Sequence, residues 1–185
     1  MDRRAASVPP VRPPADEREA LLRRSWAVND ALWFYEVFAR YGIDVANAVN
    51  AIVVRGFGRD EMRRLTQTLG LRTITALDRY REVFRLALDL YVGDSFLYED
   101  WIEGSTHHIR VHRCLAFEGV ARAGIAKQYR CGPLERARGW FDALKLDVAV
   151  TPDIGLCQMA HQGRCSYALR VDLGGAPELD ARGVE

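Results

Sequence analysis

All four cysteines of the chain lie between positions 114 and 165, and their surroundings constrain the fold more than any other feature does. Cys131 opens the stretch CGPLERARGWFDAL, which reads as a helix with Pro133 in its first turn. Cys157 ends a predicted strand, the turn MAHQGR follows, and Cys165 starts the returning strand. The reading is a hairpin with one thiol on each side of its neck. Thiolates at a hairpin neck converge, and a third from a helix N-terminus, where the backbone dipole favours anions, completes one face of a tetrahedral metal site.

The rest of the composition narrows the class of protein. Hydrophobic residues make up 49% and charged residues 28% of 185, the profile of a soluble globular chain with one real core. Arginine is spread along the whole length and balanced by Asp and Glu to a net charge of +1. No basic stripe follows from this, so a nucleic-acid partner is not expected, nor is a membrane. The N-terminal residues contain no apolar run of the ~7 residues or more that a secretory signal needs, which predicts a cytoplasmic protein. In a reducing compartment four cysteines read as metal ligands or reactive thiols more readily than as two disulfides, and all three readings stay open here.

Residues 1–14 carry four prolines and read as a disordered tail. A helix is predicted from Glu17 to Tyr41, with Asp16 as its cap and Glu19 completing a capping box. Leu22, Trp26, Trp33, Val37 and Tyr41 recur at helical spacing, which predicts a buried face with Asp30 among its aromatics. A second helix starts at Asp44 and is expected to break at Gly56 and Gly58. A third covers Asp60 to Leu69, and a fourth runs from Thr73 to Tyr91 with Leu77, Tyr80, Phe84 and Leu88 in a 3–4 pattern. These helices read as a bundle. Asn47 and Asn50 are expected to satisfy neighbouring backbone, as buried amides usually do, in preference to lining a pocket.

From Ser95 onward the texture changes. The run THHIRVHRC alternates like a strand, with His108, Arg110, His112 and Cys114 on one side and His107, Ile109, Val111 and Arg113 on the other. A helix from Leu115 to Ala123 follows, ended by Gly124, then the strand LDVAVTP and a return strand from Ser166 to Val171. The fold class expected is α+β: an N-terminal helical bundle packed on a small antiparallel sheet with a cysteine-clamped C-terminal hairpin. Residues 15–172 form the single domain, with a helical half (15–93) and a metal-binding α+β half (94–172), and residues 173–185 read as a frayed tail. Aromatic and polar groups near one another, Asp30, Trp33, His108 and His112, are the candidate contacts for a small aromatic or apolar ligand. A homodimer is compatible with this composition.

The C-terminal third, residues 106–172, resembles the 4-vinyl-reductase-like domain, a small-molecule-binding module that also serves as the sensor of phenol-responsive bacterial transcription activators. The resemblance rests on the order and spacing of Cys131, Cys157 and Cys165, on Gly163 in the turn and on Tyr167 after the last cysteine. It implies that these three thiolates hold a structural zinc. The glutamate that serves as fourth ligand in the sensors is replaced here by Ile154, and Cys114 is the expected substitute. The late cysteine hairpin after a helical region also resembles 2-aminothiazoline-4-carboxylate hydrolase-like proteins, which implies hydrolysis of a C–N bond in a small heterocycle, with Cys114 as nucleophile or with a metal-activated water. The segments WAVNDALWF and ANAVN look like an uncharacterised group of bacterial cytosolic proteins. Four thiolates suit an iron–sulfur cluster as well as zinc.

Overall fold

Gly42, with φ at +82°, turns the chain between two long helices, α1 (Ala15–Tyr41) and α2 (Ile43–Thr68). The computed structural model describes residues 12–175 and 178–179. Beyond α2 come α3 (Leu77–Tyr91), a single 3₁₀ turn (Gly93–Ser95), β1 (Phe96–Glu103), β2 (Thr106–Cys114) and α4 (Leu115–Arg122). The chain then forms α5 (Gly132–Leu144), β3 (Asp147–Thr151), α6 (Gln158–Gln162) and β4 (Cys165–Asp172). All strand pairs are antiparallel, in the order β1-β2-β4-β3, so the architecture is α+β with one small antiparallel sheet.

The core lies between one face of this sheet and the helices α2, α3 and α5. Ile109 and Val111 from β2, and Tyr167, Leu169 and Val171 from β4, meet Tyr80 and Phe84 of α3 and Trp140, Phe141 and Leu144 of α5. Phe84 sits at the centre, edge-on to Trp140 at 5.4 Å and to His107 at 5.2 Å, an arrangement that suits aromatic quadrupoles. Alternation along β2 makes this possible, because His107, Ile109 and Val111 all project inward.

Several expectations fail, the first of them at two glycines. Gly56 and Gly58 do not break the second helix, which continues to Thr68. Gly58 is instead a packing residue: a Cβ there would lie 2.2 Å from the carbonyl oxygen of Arg136, and one at Gly139 would lie 2.1 Å from that of Arg55. The absence of side chains lets α2 and α5 cross backbone to backbone, and Asp142 closes the contact by accepting from Arg55 at 2.7 Å and Arg59 at 3.2 Å. α2 packs on α5 from the other half of the chain as well as on α1. The fourth helix is also shorter than expected, beginning at Leu77, with Ile74 buried in the irregular stretch before it.

Second, the apolar face of α1 is not buried. Leu22, Trp26, Trp33 and Tyr41 are exposed, Trp33 to 68%, and no residue of α1 is fully enclosed. The inward residues are Phe34 and Phe38, on the neighbouring flank. Third, no capping box forms: Pro14 is the N-cap, without a side-chain bond, and the helix starts at Ala15. Fourth, there is no cysteine-clamped hairpin. Cys157 caps the short helix α6, and the partner of β4 on that side is β3. The expected tail at residues 1–14 falls mostly outside the described residues, as do residues 180–185. Within the expected C-terminal tail, Leu179 is buried and donates its N–H to the Arg72 carbonyl at 2.7 Å.

Candidate functional site

Three of the four cysteines occupy helix N-caps: Cys114 on α4, Cys131 on α5 and Cys157 on α6. Cys114 reaches its position through a β-bulge. Leu97 pairs with Arg113 but Tyr98 pairs with Val111, so His112 is the extra residue on β2. The bulge shifts the alternation by one, and Cys114 turns onto the core side with its cross-strand partner Phe96. His112 is left outside, facing Glu99 at 3.7 Å. The strand face predicted for His112 and Cys114 together is thereby divided.

Backbone pairing brings the remaining thiols in. Cys131 donates its N–H to Gly155 at 2.9 Å and Cys157 donates to Tyr129 at 2.9 Å, with Arg130 and Leu156 bridged between them. Cys165 pairs with Val111 across β2 and β4. Gln158 ties the start of α6 to β4, donating from Nε2 to the Ser166 carbonyl at 3.1 Å and accepting the Ser166 N–H at 3.3 Å. Ile154, where the resemblance places a glutamate ligand, is buried apolar core.

All four cysteines are free thiols. Burial raises the pKa of Cys114, and pushes those of Cys131 and Cys165 up to about 12, against the lowering effect of N–H groups at the caps of Cys114 and Cys131. Charge on neighbouring thiols adds to the rise in each case, as expected for thiols that share one neighbourhood. The Tyr167 hydroxyl, beside Cys131, offsets part of this rise. Among the described residues, however, no three His, Cys, Asp or Glu side chains are arranged to hold a metal ion. By chemistry, four soft donors whose ionisation is mutually opposed fit a thiophilic cation, which would reverse that opposition and release protons. By position, the thiols must be drawn closer together before they could share one ion.

A polar corner adjoins the thiols. Tyr129 accepts a hydrogen bond from the Gly132 N–H at 3.2 Å, and a Cβ on Gly132 would meet the Tyr129 hydroxyl at 2.5 Å and Asn50 Nδ2 at 2.8 Å. Phe34 of α1 packs edge-on against Tyr129 at 5.4 Å. Asp30, one turn earlier, adds charge that opposes ionisation of Tyr129. Its own pKa is raised by the surrounding protein and drawn back by Arg136, although its surface stays more than a third exposed. Asn47 behaves as expected for a structural amide, donating to Gln128 at 2.8 Å and accepting from Arg130 at 3.0 Å.

Of the predicted ligand contacts, only Asp30 reaches this corner. Trp33 lines an open groove of about 540 Å³ along α1 with Leu32, Glu36, Val37 and Tyr41. His108 stacks flat on Trp101 at 5.1 Å on the outer face of the sheet. A smaller depression of about 170 Å³ beside Phe96 and Leu97 involves none of the thiols.

Two buried polar networks were not anticipated. Glu61 accepts from both nitrogens of Arg136 and from Trp140 Nε1 at 3.2 Å. His107 joins Tyr80 to Asp100, which Arg81 and Arg85 also hold. The connectivity is that of a proton relay, yet His107 and Tyr80 have no exposed surface, so no substrate reaches them and the network is structural. The inward position of His107 was visible in the strand alternation; the carboxylate and arginines around it were not. No helix among the described residues is long and apolar enough to cross a membrane. Compared with protein-family models, curated proteins and solved structures, the chain matches none.

Proposed function

We propose that Cys114, Cys131, Cys157 and Cys165 form the metal centre of a small-molecule-binding module, with the corner of Asp30, Asn50 and Tyr129 as the place where the ligand is held. The observation that carries this reading is the meeting of four free thiols, from four separate chain segments, in one largely buried neighbourhood. Zinc is the first candidate, because four thiolates make a closed and therefore structural site. Its function would be to tie β2, α5, α6 and β4 together. In the corner beside it the exposed carboxylate of Asp30 is the group a small ligand would meet, with Asn50 partly buried and the Tyr129 hydroxyl and Phe34 ring packed behind it.

A second reading is an iron–sulfur cluster, which four thiolates also suit. With Zn–S bonds of ~2.3 Å, one zinc requires its four sulfurs nearly in mutual contact, whereas a cluster places iron and sulfide between them. A hydrolase with Cys114 as nucleophile and His112 as base gains no support, since the bulge parts the two and burial raises the pKa of the Cys114 thiol. Elemental analysis of protein purified without oxygen, with acid-labile sulfide and visible absorption measured on the same sample, separates the readings. Zinc near one per chain in a colourless protein supports the first, and iron with sulfide in a brown protein supports the second. A metal-free, colourless protein whose stability is indifferent to Cys131→Ser refutes both.

A further inference from the structure

We infer that one side of the α1–α2 hairpin is a self-association surface that docks against the same surface of a second copy of this chain. The contact of Trp26 with Phe57, at 5.5 Å between ring centres, shows which flanks of the two helices share a side. Trp33 lies two turns beyond Trp26 on that flank, and Tyr41 two turns further still. On α2, Val53 and Val49 lie one and two turns before Phe57, with Ile52 alongside. All of these are exposed, Ile52 to 76%. A helix with this much apolar surface and no enclosed residue is a helix waiting to be covered.

The size of the face matches a dimer. At ~150–250 Å² per large aromatic side chain and somewhat less per aliphatic one, the exposed parts of Trp26, Trp33, Tyr41, Val49, Ile52 and Val53 amount to roughly 700 Å². Leu22 and Val45 extend the same stripe to about 800 Å². The largest apolar patch of a soluble monomer is ~300–600 Å², while each partner of a stable pair contributes ~800 Å².

Pattern and charge both point to a second copy as the occupant. Val45, Val49, Ile52 and Gly56 follow the 4-3-4 spacing of a coiled-coil seam, and two helical hairpins placed face to face make a four-helix bundle with two-fold symmetry. At the rim Arg40 and Glu36 neutralise each other at 3.1 Å, and the exposed carboxylate of Asp30 lies among the aromatics, so the face carries no excess of basic charge for a nucleic acid or an anionic membrane. The open groove beside Trp33 supplies the concavity into which apolar side chains of the opposing face fit.

Sedimentation velocity of the full chain in reducing buffer tests this, with circular dichroism to monitor the fold. The wild type is expected to sediment as a dimer. Trp33→Glu and Ile52→Asp change exposed positions, so the fold should persist while association weakens on the order of 100-fold, because each would place a charge in an apolar interface. Leu97→Asp, an exposed apolar position on β1, should leave the dimer intact. A monomeric wild type, a dimer that survives Trp33→Glu and Ile52→Asp combined, or equal dissociation by Leu97→Asp overturns the inference.

Discussion

Nε2 of His107 donates to Oδ2 of Asp100 across 2.9 Å, and both side chains are almost closed to solvent, at 0% and 3% exposure. The carboxylate sets the tautomer, which leaves Nδ1 to accept from the Tyr80 hydroxyl at 3.3 Å. Burial alone would raise the Asp100 pKa, but hydrogen bonds from Arg85, Arg81 and His107 outweigh it and hold the group at about 2. Burial also lowers the pKa of His107, partly offset by Asp100.

Stability should therefore fall as pH falls. Above about pH 6.5 His107 is neutral in both folded and unfolded chains; below it the unfolded chain takes up the proton first, and stability declines through the lower folded value. Asp100 adds a second loss, between its ordinary pKa of 3.8 and about 2, with the same sign. Thermal melting across this range should show the decline, and His107→Gln should flatten its upper part. A wild-type melting temperature that rises on acidification from neutral pH would contradict the assignment.

Two glycines of α2 should respond in opposite directions to alanine. Gly58→Ala places a methyl against the Arg136 carbonyl and forces α5 outward, which costs about 1–3 kcal/mol or more. Gly56→Ala meets nothing within 4 Å and should stabilise the helix by roughly 0.5–1 kcal/mol. Denaturant unfolding of the pair measures both, and similar effects from the two would mean that α2 and α5 do not cross at these residues.

Removing Glu61 strands the guanidinium of Arg136 and the indole N–H of Trp140 in the core. Glu61→Ala should destabilise by about 3–5 kcal/mol, as expected when one partner of a buried pair is lost. The double change Glu61→Leu with Arg136→Met should recover much of this in chemical denaturation, because neither charge is then left unpaired.

If the four thiols hold the proposed metal, Cys131→Ser and Cys165→Ser should each lower bound metal to below half of the wild-type content and reduce the melting temperature, while chelation should shift the wild type more than either variant. Full metal content in both variants, measured by elemental analysis, would place the metal elsewhere in the chain.

Local signals in the sequence determined the elements whose causes lie within a turn or two. Cys131 and Pro133 mark the start of α5, Gly124 at φ +73° follows α4, and alternation from Thr106 to Val111 sets the faces of β2. The grouping of the thiols was legible only in part, since their clustering in sequence was plain but the cap at Cys157 and the bulge at His112 were not. Only the tertiary structure decided these, along with the role of Gly58, whose neighbour is the backbone of Arg136. The same holds for the burial of Asp100, which depends on arginines from α3 and an imidazole from β2. On α1, periodicity identified an apolar face but not what covers it, and among the described residues nothing encloses it. Helix and strand propensity are properties of neighbouring residues, whereas close backbone approach, desolvation and the covering of a face depend on atoms brought together from distant parts of the chain.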